Sequence, residues 1–191
     1  MSFYIMQIDR RALDVSAAFC WVFRGGFFSM FNIGDKIVYP MHGAGIIESI
    51  EEREVLGERR QYYILKMPVG DMKVFIPTNN AYDIGVRGII DFIEAEQVLH
   101  FFSICSDNVC SNWNRRYREN IARIKSGNIY EVAHVVKMLM CRDKRRGLSS
   151  GERKMLCNAK HILISELILA KEISQQDVEM QLEVLITIEE V

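Results

Sequence analysis

Proline and glycine are scarce, 3 and 12 in a chain of 191 residues, and that scarcity excludes a collagen-like or low-complexity chain. Long apolar runs are missing too: Asp, Arg or Gly interrupts each one well short of the ~18 residues that a membrane span needs. Cysteine is present in an odd number, five, at Cys20, Cys105, Cys110, Cys141 and Cys157. Such irregular spacing suits a reducing compartment, the cytoplasm, better than a disulfide scaffold. Asp14 breaks the apolar stretch that a signal peptide would need, and no small-residue cleavage site follows it, so secretion is not expected. The four histidines, His42, His100, His134 and His161, are scattered, with no HExxH, glycine-rich phosphate loop or nucleophile elbow. Cys157 and His161 stand four apart and offer two metal ligands where structural zinc takes four. The expectation is therefore a protein that is not an enzyme, with no metal, no cofactor and no small-molecule substrate.

What is present is ordinary globular material, 49% hydrophobic and 10% aromatic, with an uneven distribution of charge. The formal net charge is −1, yet residues 111–160 carry 13 basic and 4 acidic side chains, while residues 30–110 carry 7 and 12, and residues 161–191 carry 1 and 7. A basic block of this density is the footprint of a polyanion binder, because each Lys or Arg set against a phosphate releases condensed counterions. A solvated helical surface would carry the same charge.

Residues 1–29 have no steady period. Arg24-Gly25-Gly26 can be encoded by a purine run containing GGAGG, the bacterial ribosome-binding sequence, and Met30 follows four codons after Gly26; Met30 is the expected initiator, and residues 1–29 a mis-called or disordered extension. From Phe31 the pattern has period two, predicting strands at Lys36–Pro40, Ile46–Leu56, Gln61–Met67 and Met72–Ile76, with turns at His42–Gly45, Gly57-Glu58 and Val69–Asp71. Beyond Tyr82 the period is helical. A connecting helix is expected at about Asp91–Ile104. Ser111 or Asn112 starts the next, which stops at Gly127; Asn128 with Glu131 starts another, to about Arg142. Ser149 with Glu152 forms a capping box for a helix through Ala170, and an acidic helix closes the chain at about Gln175–Ile188. The fold class is α+β: a small barrel-like β module over residues 30–85, then an all-α bundle over 86–188.

The helix beginning at Trp113 carries the most information. A 100° step puts Trp113, Tyr117, Ile121 and Ile124 in one arc and Arg115, Arg116, Arg118, Arg123 and Lys125 in the remainder. Trp113 stands in the first turn, where a side chain can project past the helix end. Core packing and an exposed wedge among phosphate contacts are both open on this pattern. Arg142, Lys144, Arg145 and Arg146 fall in the joint before Ser149. Arg153 and Lys154 fall in the first turns of the following helix, where cations oppose the helix dipole and an external anion is the economical explanation. No recognition helix with base-reading side chains at its start is evident, so binding with little sequence preference is expected.

Phe31-Asn32-Ile33-Gly34-Asp35-Lys36-Ile37-Val38-Tyr39-Pro40-Met41-His42-Gly43-Ala44-Gly45, Tyr62–Lys66, Ile76-Pro77, Gly85-Val86-Arg87, Asn112-Trp113-Asn114-Arg115-Arg116-Tyr117 and Gly147–Leu156 resemble the CarD/CdnL family of bacterial transcription regulators. The resemblance runs from Met30 to about Ala170, and its first half is shared with transcription-repair coupling factors. It implies a Tudor/SH3-like module that docks on the β subunit of RNA polymerase, and a helical domain that contacts promoter DNA at the upstream edge of the bubble and stabilises the open complex without enzymatic activity. It further implies that Trp113 is a minor-groove wedge flanked by Arg115, Arg116 and Arg118. Arg145, Arg146, Arg153 and Lys154 complete the expected DNA surface. The polymerase-facing set is Arg53, Lys73, Phe75 and Pro77; relatives often have Arg where this chain has Phe75, so docking here is expected to rely less on charge. The expected state is a monomer, cytoplasmic and nucleoid-associated through the polymerase. The alternative is a β-module adaptor whose helical domain binds RNA or protein, with no polymerase involved.

Overall fold

The computed structural model describes residues 31–187 apart from 56, 71 and 105–111. The expectations for residues 1–29 and Met30 therefore lie outside the described residues. Five strands form one antiparallel sheet: β1 (Lys36–Tyr39), β2 (Gly43–Val55), β3 (Glu58–Lys66), β4 (Lys73–Pro77) and β5 (Arg87–Gly88), in the order β4-β3-β2-β1-β5. Alternation along the strands turns Ile37, Ile47, Tyr63, Leu65 and Ile76 into a shared core. A bulge between Ile47 and Ser49 interrupts the β2–β3 register, bending a long strand that would otherwise stay flat.

The expected closure into a barrel does not occur, since β4 and β5 form opposite edges of an open sheet. Closure would need two edge strands long enough to exchange a ladder, and β5 has only two residues. The side that closure would have sealed is covered instead by a helix, whose Leu169 packs with Val38 and Ala44.

A second difference lies in the first hairpin. His42–Gly45, with its two glycines, reads as a turn, but Gly43, Ala44 and Gly45 are paired in β2, with Tyr39 opposite Gly43 and Lys36 opposite Ile46. The turn is tighter, closed by His42 N–H donating to Tyr39 O at 3.0 Å, with Met41 at φ 70°. The glycines answer a packing demand. A Cβ on Gly43 would lie 2.5 Å from Ser165 Oγ, and one on Gly45 would lie 2.6 Å from Lys66 O.

After β4 the chain makes a 3-10 turn (Thr78–Asn80) and the four-residue helix α1 (Ala81–Ile84), then runs through β5 into the bundle. The bundle comprises α2 (Phe92–Ile104), α3 (Trp113–Lys125), α4 (Ile129–Arg146), α5 (Ser150–Lys171) and α6 (Gln175–Thr187). The caps are those the sequence predicts. Asn112 accepts from Arg115 N–H, Asn128 from Tyr130 N–H, and Ser149 with Glu152 forms a complete capping box. The core is aliphatic and continuous, with Val98, Phe102, Val136, Leu139, Leu163, Leu167 and Leu182 all essentially inaccessible. No helix among the described residues is long and apolar enough to cross a membrane.

Sheet and bundle are joined by polar contacts as well as by packing. Arg87, at the start of β5, donates from Nη1 to Glu166 Oε1 (2.6 Å) and from Nη2 to Glu166 Oε2 (3.0 Å), while Nε and Nη2 also reach Gly127 O. Glu166 is fully buried in α5, and its Oε1 also accepts from Ile90 N–H at 3.2 Å. Ala44 N–H donates to Ser165 Oγ at 2.9 Å, and Lys36 Nζ donates to Leu169 O at 3.0 Å and to Glu172 at 2.8 Å. That last contact holds the Glu172 carboxyl below its ordinary range.

Candidate nucleic-acid interface

The first turn of α3, the last turn of α4 and the first turn of α5 meet at one end of the bundle. Trp113 follows the Asn112 cap directly. Its indole stacks on Tyr117, one turn along, at 5.3 Å between ring centroids and 24° between planes, and its edge approaches Gly151 at the start of α5. The side chain is nevertheless 44% exposed. Tyr117 supports one ring face, Gly151 lies at the ring edge, and the remainder is open to solvent.

Arg115 and Arg118 are exposed on the flank of α3; Arg115 pairs with Glu119 at 2.7 Å, and Arg118 Nε donates to Asn114 O at 3.3 Å. Arg116 does not join them. It is buried, and its Nη2 donates to Glu152 Oε1 at 3.0 Å, so the expected phosphate contact at Arg116 is corrected to an internal ion pair. On the helical wheel, Arg116 sits only about 60° from Trp113 and Asn120 about 20°, so both border the apolar arc and not the solvent face; that signal was available in the sequence. Burial alone would push the Glu152 carboxyl up, but the Ser149 N–H, Arg116, the Ser149 hydroxyl and the nearby Arg142 together hold it below its ordinary value.

The second correction concerns Arg142, Lys144, Arg145 and Arg146, read above as a joint. They belong to α4, which continues to Arg146 and stops at Gly147 (φ 72°). Lys and Arg are good helix formers, and in a last turn their charge complements the helix dipole. Of these six cations, Arg153 and Lys154 alone oppose a dipole, in the first turns of α5. Both are exposed, as are Arg145 and Arg146.

At the far side of the sheet, Arg53 lies with its guanidinium carbon 4.1 Å from the centroid of the Phe75 ring, a cation–π contact. Arg53 also pairs with Glu51 at 3.0 Å. Phe75 is 42% exposed on the edge strand β4. Lys73, two residues along the same strand, pairs with Glu48 at 2.5 Å, and Pro77, half-buried, ends the strand opposite Tyr62. Three of the four expected docking residues thus come from one edge strand, and the fourth folds over its aromatic ring. Among the described residues no three His, Cys, Asp or Glu side chains are arranged to hold a metal ion.

Residues 31–90 match the family model described as CarD-like/TRCF RID domain, and residues 97–183 match that of CarD, C-terminal domain. A protein of Bacillus subtilis (strain 168) named "Putative transcription factor YdeB" is 44% identical over 149 residues, 78% of this chain and 97% of that protein. The chain belongs to the CarD family. The two CarD matches fall on the two halves described above, the open sheet and the helical bundle. The role is transcription-related, and the sheet of this CarD-like chain is its RNA polymerase-interacting module.

Proposed function

We propose that this CarD-like protein docks on the β subunit of RNA polymerase through Arg53, Lys73, Phe75 and Pro77, contacts promoter DNA at the upstream edge of the bubble through Trp113, and so stabilises the open complex without catalysing a reaction. The DNA surface consists of Trp113 with Arg115, Arg118, Arg145, Arg146, Arg153 and Lys154; Arg116 positions α3 from within. The protein acts as a monomer. The observation that carries this reading is the indole of Trp113, backed by Tyr117 and 44% exposed on a helix that also carries the exposed Arg115 and Arg118. Apolar side chains in such a setting wedge between base steps, while the surrounding cations take the phosphates.

The mechanism follows from binding energy. A ligand shifts an equilibrium by its differential affinity for the two states, and a wedge that fits an unstacked step binds melted promoter better than closed duplex. Holding polymerase with the sheet raises the effective concentration of the weaker DNA contact. The experiment is an open-complex lifetime measurement on a linear promoter with wild-type protein and with Trp113→Ala. Wild type should lengthen the lifetime and the variant should not, while residues 31–90 and the full-length variant still recover polymerase β. Equal lifetimes with variant and wild type would refute the wedge; failure to recover polymerase β would favour the adaptor reading.

A further inference from the structure

Between α3 and α4, behind the Trp113 surface, lies a cleft of about 160 Å³ whose polar walls are Arg116, Asn120, Arg142, Arg145 and Arg146 over a floor that includes Leu139. Among the described residues that line it, none is acidic. The helix dipole accounts for cations in the last turn of α4 but not for their convergence with Arg116 of another helix upon one concavity. The volume is many times the ~10–15 Å³ that a single water requires. Glu152 partly balances the inner wall, at 3.0 Å from Arg116 and 3.5 Å from Arg142. It does not complete it: the Nε of Arg142 is the atom at 3.5 Å from Glu152, an ion-pair contact, and this buried Nε–H makes no hydrogen bond to the described residues. A buried donor left in that state is costly, and a guanidinium fork is shaped to meet a tetrahedral oxyanion.

We propose that this cleft is a phosphate-binding site, its walls formed by Arg142, Arg145, Arg146 and Asn120 and its depth set by the Arg116–Glu152 pair. The chemistry recognised is a phosphate group, supplied either by a small phosphorylated molecule or by the backbone of bound DNA.

The site is tested without polymerase or promoter, so its failure is separate from that of the proposed function. Inorganic phosphate and pyrophosphate are titrated calorimetrically into the full-length protein at constant ionic strength, with chloride as the control anion. Saturable one-to-one binding is expected, with a melting temperature about 5–10 °C higher at a hundredfold excess over Kd. The double variant Arg145→Gln/Arg146→Gln, both positions exposed, should keep the wild-type circular dichroism and bind pyrophosphate at least about tenfold more weakly. The same titration on protein loaded with duplex DNA assigns the source: displacement of the duplex identifies the backbone phosphate, and simultaneous binding identifies a small phosphorylated ligand. Phosphate binding no different from chloride, or undiminished binding by the double variant, overturns the proposal.

Discussion

Glu152 serves three partners at once: its backbone N–H and one carboxylate oxygen complete the capping box of α5, and the other oxygen holds Arg116 with Arg142 nearby. Its carboxyl titrates below the ordinary value in the folded protein. The stabilisation is therefore complete above the unfolded pKa of about 4.3 and is lost as pH falls through the lower folded value. Glu152→Gln should cost about 3 kcal/mol at neutral pH, because it strands a buried guanidinium. Urea denaturation of the variant should also show a shallower loss of stability between pH 5 and pH 3 than wild type. Trp113→Ala belongs at the same scale with the opposite balance. A buried Trp replaced by Ala costs ~3–5 kcal/mol, whereas Trp113, open on one side, should cost about half of that or less. The variant should melt close to wild type in calorimetry while losing its effect on open-complex lifetime.

At the scale of elements, what could be read from the sequence was whatever is encoded within a few residues. The caps at Asn112, Asn128 and Ser149 are satisfied by N–H groups two or three residues ahead, so the chain carries the whole signal locally, and the expected helix starts hold. The strands at Lys36, Gln61 and Met72 were legible from alternation. The hairpin at Gly43 was not, because the reason for glycine there is Ser165, more than a hundred residues away. Likewise α1 and β5, at four and two residues, are too short for any period to register. Of the candidate surface, Trp113 and its exposed arginines were legible from the motif and the wheel; the wheel also put Arg116 at the border of the apolar arc, but its partner, Glu152 on α5, was not legible, because that pairing depends on where α5 docks. Gly43 and Gly34 allow the packing demand to be separated from the backbone demand. Both have φ near 100°, but a Cβ on Gly34 meets nothing within 4 Å. Gly34→Ala should cost about 1 kcal/mol, and Gly43→Ala at least about 2 kcal/mol more, measured as a shift in urea midpoint at constant m-value.

At the scale of the whole molecule two behaviours are expected. Six exposed cations, Arg115, Arg118, Arg145, Arg146, Arg153 and Lys154, lie on α3, α4 and α5. If four to six of them meet phosphates, log K for duplex DNA should fall against log salt with a slope of about −4 to −5. A fluorescence-anisotropy series from low to moderate salt measures it, and a flat response would remove DNA from the partners. Arg87→Met should leave the Glu166 carboxylate buried with two of its donors gone, at a cost of about 3–5 kcal/mol. Hydrogen exchange should then accelerate first at β1, β2 and α5, where sheet and bundle meet, before it does so in the helix cores.

The Arg87–Glu166 clamp has a further consequence for what this molecule can measure. Its fork of hydrogen bonds, together with the Ser165 and Lys36 contacts, leaves no slack tether between the Phe75 edge and the Trp113 tip. Under the proposed function the protein would act as a caliper of fixed gap: with one jaw seated on the enzyme, the other would arrive at a set point on the promoter, with the orientational entropy already spent during folding. A bubble whose upstream edge lies one base pair away is displaced by about 3.4 Å along the helix axis, and the gap does not stretch to follow it. If the DNA contact is as indifferent to sequence as proposed, selectivity among promoters would arise from the position of melting.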